Sequence, residues 1–125
     1  MLGNPAPYYP ITSLERDWLA HCARSLGVET PAVQEDQSVH DIAYTGSGGA
    51  GGTILLGRLF LSQRPNSFSR LRKICHENLH NLGLPHDGKA RGLGYYSKPR
   101  RDNFSRQVTH RLLADFSGVG EVDHA

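Results

Sequence analysis

Apolar and polar positions along the chain fall into two kinds of pattern. Leu14, Trp18, Cys22 and Leu26, with Leu19 beside them, recur at helical spacing and predict a helix over 13–26. Thr12 and Glu15 have the spacing of a capping box at its start, and Gly27 closes it. A second helix is expected over 67–82, where Phe68, Leu71, Ile74, Cys75, Asn78, Leu79 and Leu82 share one broad, mostly apolar face. Asn66 or Ser67 can cap it after Pro65. A last helix is expected over 103–116, with Phe104, Val108, Leu112 or Leu113, and Phe116 in phase and Asp102 as its cap.

Between the first two helices the period shortens. Residues 31–34 and 41–44 read as short strands, and 53–62 as a longer one, apolar enough to be at least half buried. Such a strand could offer an edge to an extended substrate, and Gly57 within it predicts a bulge or a close approach by another backbone. Five glycines lie between Gly46 and Gly52; no Lys-Ser/Thr follows, so the stretch reads as a hairpin tip or flap rather than a phosphate loop. Residues 1–11 read as an extended arm and 117–125 as a frayed tail. The whole, 1–125, reads as one α+β domain: a helix and a small twisted sheet packed on the 67–82 helix, then a C-terminal helix.

The polar side of the 67–82 helix carries the chemistry. His76 and His80 are one turn apart and project from one face, so both can reach a single ion. Glu77 sits beside them, placed to take a proton from the attacking water rather than to bind metal. Gly83 falls where the helix must stop and turn, which returns His86 as a third ligand. Three ligands leave a fourth position open, the arrangement of a catalytic Zn2+, one per chain. Tyr95 or Tyr96 could then hydrogen-bond a developing oxyanion.

Composition narrows the setting. Hydrophobic residues make up 38% and charged residues 21% of the chain, no apolar run approaches a membrane span, and the N-terminus lacks the pattern of a signal peptide. A cytoplasmic location without membrane partners is the expectation. Cys22 and Cys75 both fall on apolar helix faces and read as buried free thiols. Net charge is +2 but uneven: residues 1–62 carry three basic and six acidic side chains, residues 63–125 eleven and six. The cations gather at Arg70, Arg72 and Lys73 and again at Lys98, Arg100, Arg101, Arg106 and Arg111, a distribution that suits a nucleic-acid surface.

The run from His76 to Asp87 reads H-E-x-x-H-N-L-G-L-P-H-D and resembles the zinc-binding consensus of the metzincin metallopeptidases. The resemblance implies that His76, His80 and His86 bind zinc, that Glu77 is the general base and that Gly83 permits the turn. The chain's single methionine is Met1, so the methionine turn of that family has no counterpart. The order of helix, glycine-rich hairpin, strand and zinc helix is similar to the compact SprT-like and Wss-like metallopeptidases, which include proteases of DNA-bound proteins. The bacterial rRNA-maturation zinc proteins share the histidine spacing but carry glycine where this chain has Glu77. Peptide-bond hydrolysis of a protein or peptide substrate is therefore the expected activity. The alternatives are a zinc-dependent ribonuclease or RNA-processing factor, distinguished by salt-dependent RNA binding, and a zinc-binding domain without turnover.

Overall fold

A computed structural model describes residues 6–46, 51–84 and 98–124, with the backbone alone over 98–103. The element order is α1 (Ser13–Leu26), β1 (Ala32–Glu35), β2 (Ile42–Thr45), β3 (Thr53–Leu56), α2 (Arg58–Ser62), α3 (Phe68–Leu82) and α4 (Lys98–Leu113), then a 3₁₀ turn at Val119–Glu121. This is a mixed α+β fold with one three-stranded sheet.

Helix α1 begins and ends where local chemistry dictates. Thr12 accepts from the Glu15 amide while the Glu15 carboxylate accepts from the Thr12 amide, and Gly27 closes the helix at φ 72°. Ser67 caps α3 by accepting from the Arg70 amide. The strands order as β1-β3-β2. β3 runs parallel to β1 with Ala32 opposite Thr53, and antiparallel to β2 with Ile42 opposite Leu56. It is therefore the middle strand, with a neighbour on each side. The edge expected of residues 53–62 for an extended substrate is already occupied; the outer strands are β1 and β2.

Residues 53–62 are also not one strand. β3 ends at Leu56, and α2 turns away at Gly57. The amides of Gly57, Arg58 and Leu59 donate to the carbonyls of Asp41, Val39 and His40 in that order, so the loop before β2 satisfies the first turn of α2. A Cβ on Gly57 would lie 2.3 Å from the Val39 oxygen, the close backbone approach that a glycine inside an apolar run suggests.

The core lies where α1, the sheet, α2 and α3 meet. Trp18, Cys22, Ile54, Leu56, Phe60, Leu71, Ile74 and Cys75 are all buried there, joined by Leu113 and Phe116 from the C-terminal part. Trp18 also donates its indole N–H to the Leu71 carbonyl at 2.8 Å, which ties α1 to α3. Nearer the end of α3, Leu79 packs against Leu26, Leu84, Phe104 and Val108, which docks α4.

Two expectations about the C-terminal part are corrected. α4 starts at Lys98, so Asp102 lies inside the helix rather than capping it, and the helix ends at Leu113. The stretch expected to fray is held in place: Val122 is buried, and Asp123 exchanges backbone hydrogen bonds with Asn66 and Phe68. No sequence period announces such an attachment, because it is made through backbone groups. Residues 6–11 form neither helix nor strand, and the Tyr9 amide donates to the Leu61 carbonyl.

Candidate metal centre

Helix α3 places its core face on α1 and the sheet and leaves His76 and His80 only partly covered on the other. Their rings stand edge to face, 80° apart in plane, with centroids 5.0 Å apart. His76, Glu77 and His80 each bring one ligand atom to within 4.8 Å of the others, a group that can hold a metal ion. Sequence spacing anticipated the pairing of His76 with His80, because i and i+4 positions share a helix face; Glu77 was expected beside them as a base rather than as a ligand.

Each imidazole is held by its other nitrogen. Nδ1 of His80 lies 2.6 Å from the Leu84 carbonyl. A carbonyl only accepts, so Nδ1 carries the proton and the neutral ring keeps its lone pair on Nε2, the form a metal ligand needs. Gly83 makes this contact geometrically available: it takes φ 109°, and the turn brings the Leu84 carbonyl back over the last helical turn. Nδ1 of His76 lies 2.7 Å from the hydroxyl of Ser105 on α4, a side chain with no solvent exposure. The donor set therefore suits a metal ion.

Glu77 is 5% exposed. Burial, followed by the negative charge of Asp41, pushes its carboxyl up to about 8. Asp41 is itself paired with Lys73 at 2.8 Å. The nearest His76 nitrogen is 3.9 Å from the Glu77 carboxylate, too far for a hydrogen bond. Glu77 thus favours its neutral form in the metal-free chain.

β2 borders the centre. Tyr44 donates its phenol to Asn81 Oδ1 at 2.9 Å, and Asn81 donates to the Glu29 carbonyl at 2.8 Å. The buried Asn81, which sequence reading passed over, joins β2 and the α1–β1 connection to α3 one residue after His80.

His86, Tyr95 and Tyr96 lie outside the described residues, as do the side chains of Lys98, Arg100 and Arg101. Arg70 and Lys73 do not belong to a solvated basic face: Arg70 is fully buried against Glu15, and Lys73 is buried against Asp41. Arg106 and Arg111 are exposed. Cys22 and Cys75 are free, buried thiols in mutual contact, and burial raises the Cys22 thiol. His21 is engaged with Trp18, Phe116 and the Leu112 carbonyl, and His110 stacks on Phe68. Among the described residues no helix is long and apolar enough to cross a membrane.

Ser105 could not have been found from the sequence, since a serine 29 residues from His76 has no spacing signature. Asp41, read as the start of a short strand, had no spacing signal to show that its charge would act on Glu77. No family model, curated protein or solved structure matches this chain.

Proposed function

We propose that the chain is a zinc-dependent metallopeptidase that hydrolyses peptide bonds. One observation carries the reading: two imidazoles, each held through Nδ1, flank a buried carboxyl. A structural zinc site has no use for such a carboxyl, whereas hydrolysis needs a proton acceptor beside the reacting carbonyl.

In this reading His76 and His80 would hold the ion together with His86. When bound, zinc would supply Lewis-acid polarisation of a carbonyl oxygen and would acidify a water molecule. Glu77 performs the proton transfers. A cation held among the imidazoles would favour its ionised form, while burial and Asp41 favour the neutral one, so the carboxylate could take a proton and then release it. The proton leaves on the amine of the departing peptide. His80 and His76 keep their Nδ1 contacts throughout, which fixes the rings and costs no reorganisation during the reaction.

The test is a search for new peptide termini in a cell lysate treated with the zinc-loaded protein and, in parallel, with Glu77→Gln. New termini confined to the wild type are expected, and they would report the cleavage preference directly. Equal cleavage by Glu77→Gln would falsify the role given to Glu77. Absence of cleavage by either protein, with RNA cleaved by the wild type, would replace the peptidase reading by the nuclease one.

A further inference from the structure

The two imidazoles are oriented by different parts of the molecule. His80 leans on a carbonyl four residues ahead in its own helix cap, so its geometry is set as soon as α3 and Gly83 are formed. His76 leans on Ser105, 29 residues away on α4. Ser105 has no exposure and lies inside α4, so its backbone is held by the helix itself. The packing of Leu79 against Phe104 and Val108 brings this turn of α4 to α3.

We propose that Ser105 is a positioning residue for His76: its hydroxyl accepts from Nδ1–H, sets the lone pair on Nε2, and makes metal affinity depend on how α4 is docked. This rests on the zinc reading above and deepens it, because it assigns half of the ligand geometry to a helix that carries no proposed ligand. A hydroxyl both donates and accepts, so the direction of the bond is the substance of the inference. Loss of such an outer partner typically weakens metal binding by about 10- to 100-fold.

The experiment uses the full chain. Zinc affinity is measured by chelator competition for the wild type, Ser105→Ala and Thr109→Ala, and imidazole nitrogen shifts are recorded by NMR on the metal-free proteins. The wild type is expected to show His76 protonated at Nδ1. Ser105→Ala is expected to bind zinc about 10- to 100-fold more weakly, with His76 drifting to a mixture of tautomers while His80 keeps its own. Thr109→Ala removes a buried hydroxyl from the same helix and controls for simple loosening of α4; it is expected to leave the His76 tautomer unchanged. A Ser105→Ala protein with wild-type affinity and tautomer would overturn the inference and leave the zinc reading intact. A wild type that binds no zinc would overturn both. Should Ser105→Ala fail to fold, the wild-type spectrum still decides: a proton found on Nε2 of His76 rather than Nδ1 overturns the proposal.

Discussion

Arg70 and Glu15 meet in the interior with neither side chain exposed, guanidinium Nε 2.9 Å from the carboxylate. The same guanidinium donates to the carbonyls of Tyr9, Pro10 and Gln63, and the same carboxylate accepts from the amides of Thr12 and Asn66. Removing one partner leaves the other charged, dry and short of hydrogen bonds. Arg70→Ala or Glu15→Ala is expected to destabilise the fold by about 3–5 kcal/mol, measured by urea unfolding. A loss under ~1 kcal/mol for either variant would show that water reaches the site.

Metal removal should be felt unequally. Replacing His80 by alanine takes away a ligand and should lower zinc affinity by more than the roughly 100-fold expected from losing an outer partner. Glu77→Gln should keep the full zinc content while peptidase turnover falls by about 100- to 10,000-fold, the usual weight of a general base. Zinc content by elemental analysis separates the two variants.

The metal-free protein should lose stability as pH rises. Glu77 titrates near 8 when folded because burial, and next Asp41, disfavour its charge, whereas the unfolded carboxyl keeps its ordinary value of 4.5. The folded state therefore holds the proton more tightly: its advantage is complete below the unfolded value and disappears as pH climbs through the folded one, at up to about 1.4 kcal/mol per pH unit. Urea midpoints in chelator should fall between pH 5 and pH 8, and Glu77→Gln should remove this part of the slope. Identical slopes for the two proteins would place the titration elsewhere.

Two glycines should respond to alanine for different reasons. Among the described residues nothing lies within 4 Å of a Cβ on Gly83, but it sits at φ 109°, so Gly83→Ala should cost about 1–2 kcal/mol through backbone conformation. Zinc affinity should fall with it, since the turn carries the Leu84 carbonyl that orients His80. Gly57 has ordinary backbone angles, φ −92°, but no room, with carbonyl oxygens of Val39 and Asp41 2.3 and 2.6 Å from the Cβ position. Gly57→Ala should be the more destabilising of the two in thermal melts and should leave zinc affinity largely unaltered in the folded fraction.

What could be read in advance follows from how far apart the deciding groups are. The ends of α1 and α3 were legible because Thr12, Gly27, Ser67 and Gly83 act on neighbours within a few residues. The His76–Glu77–His80 cluster was legible for the same reason. The run from Thr53 to Ser62 was not, since a short, densely apolar stretch fits a buried strand and a buried helix equally well. Its division at Gly57 is decided by carbonyls of residues 39–41, which no local pattern reveals. The charge of Arg70 suggested solvent, yet Glu15, 55 residues away, drew it inside. Ser105 was invisible on the same grounds.

Asn66 joins two distant parts of the chain just ahead of α3. Its φ is 60°, its side-chain oxygen accepts from the Thr12 hydroxyl, its amide donates to Glu15, and its carbonyl accepts from the Asp123 amide. Contacts this remote in sequence form only after the chain has closed its larger loops, so they belong late in folding. A change at Asn66 should then act on the lifetime of the native state: Asn66→Ala is expected to unfold faster in stopped-flow measurements while refolding at nearly the wild-type rate. The joint that sets the start of the helix carrying His76, Glu77 and His80 would thus govern how long that cluster persists, rather than how quickly it is made.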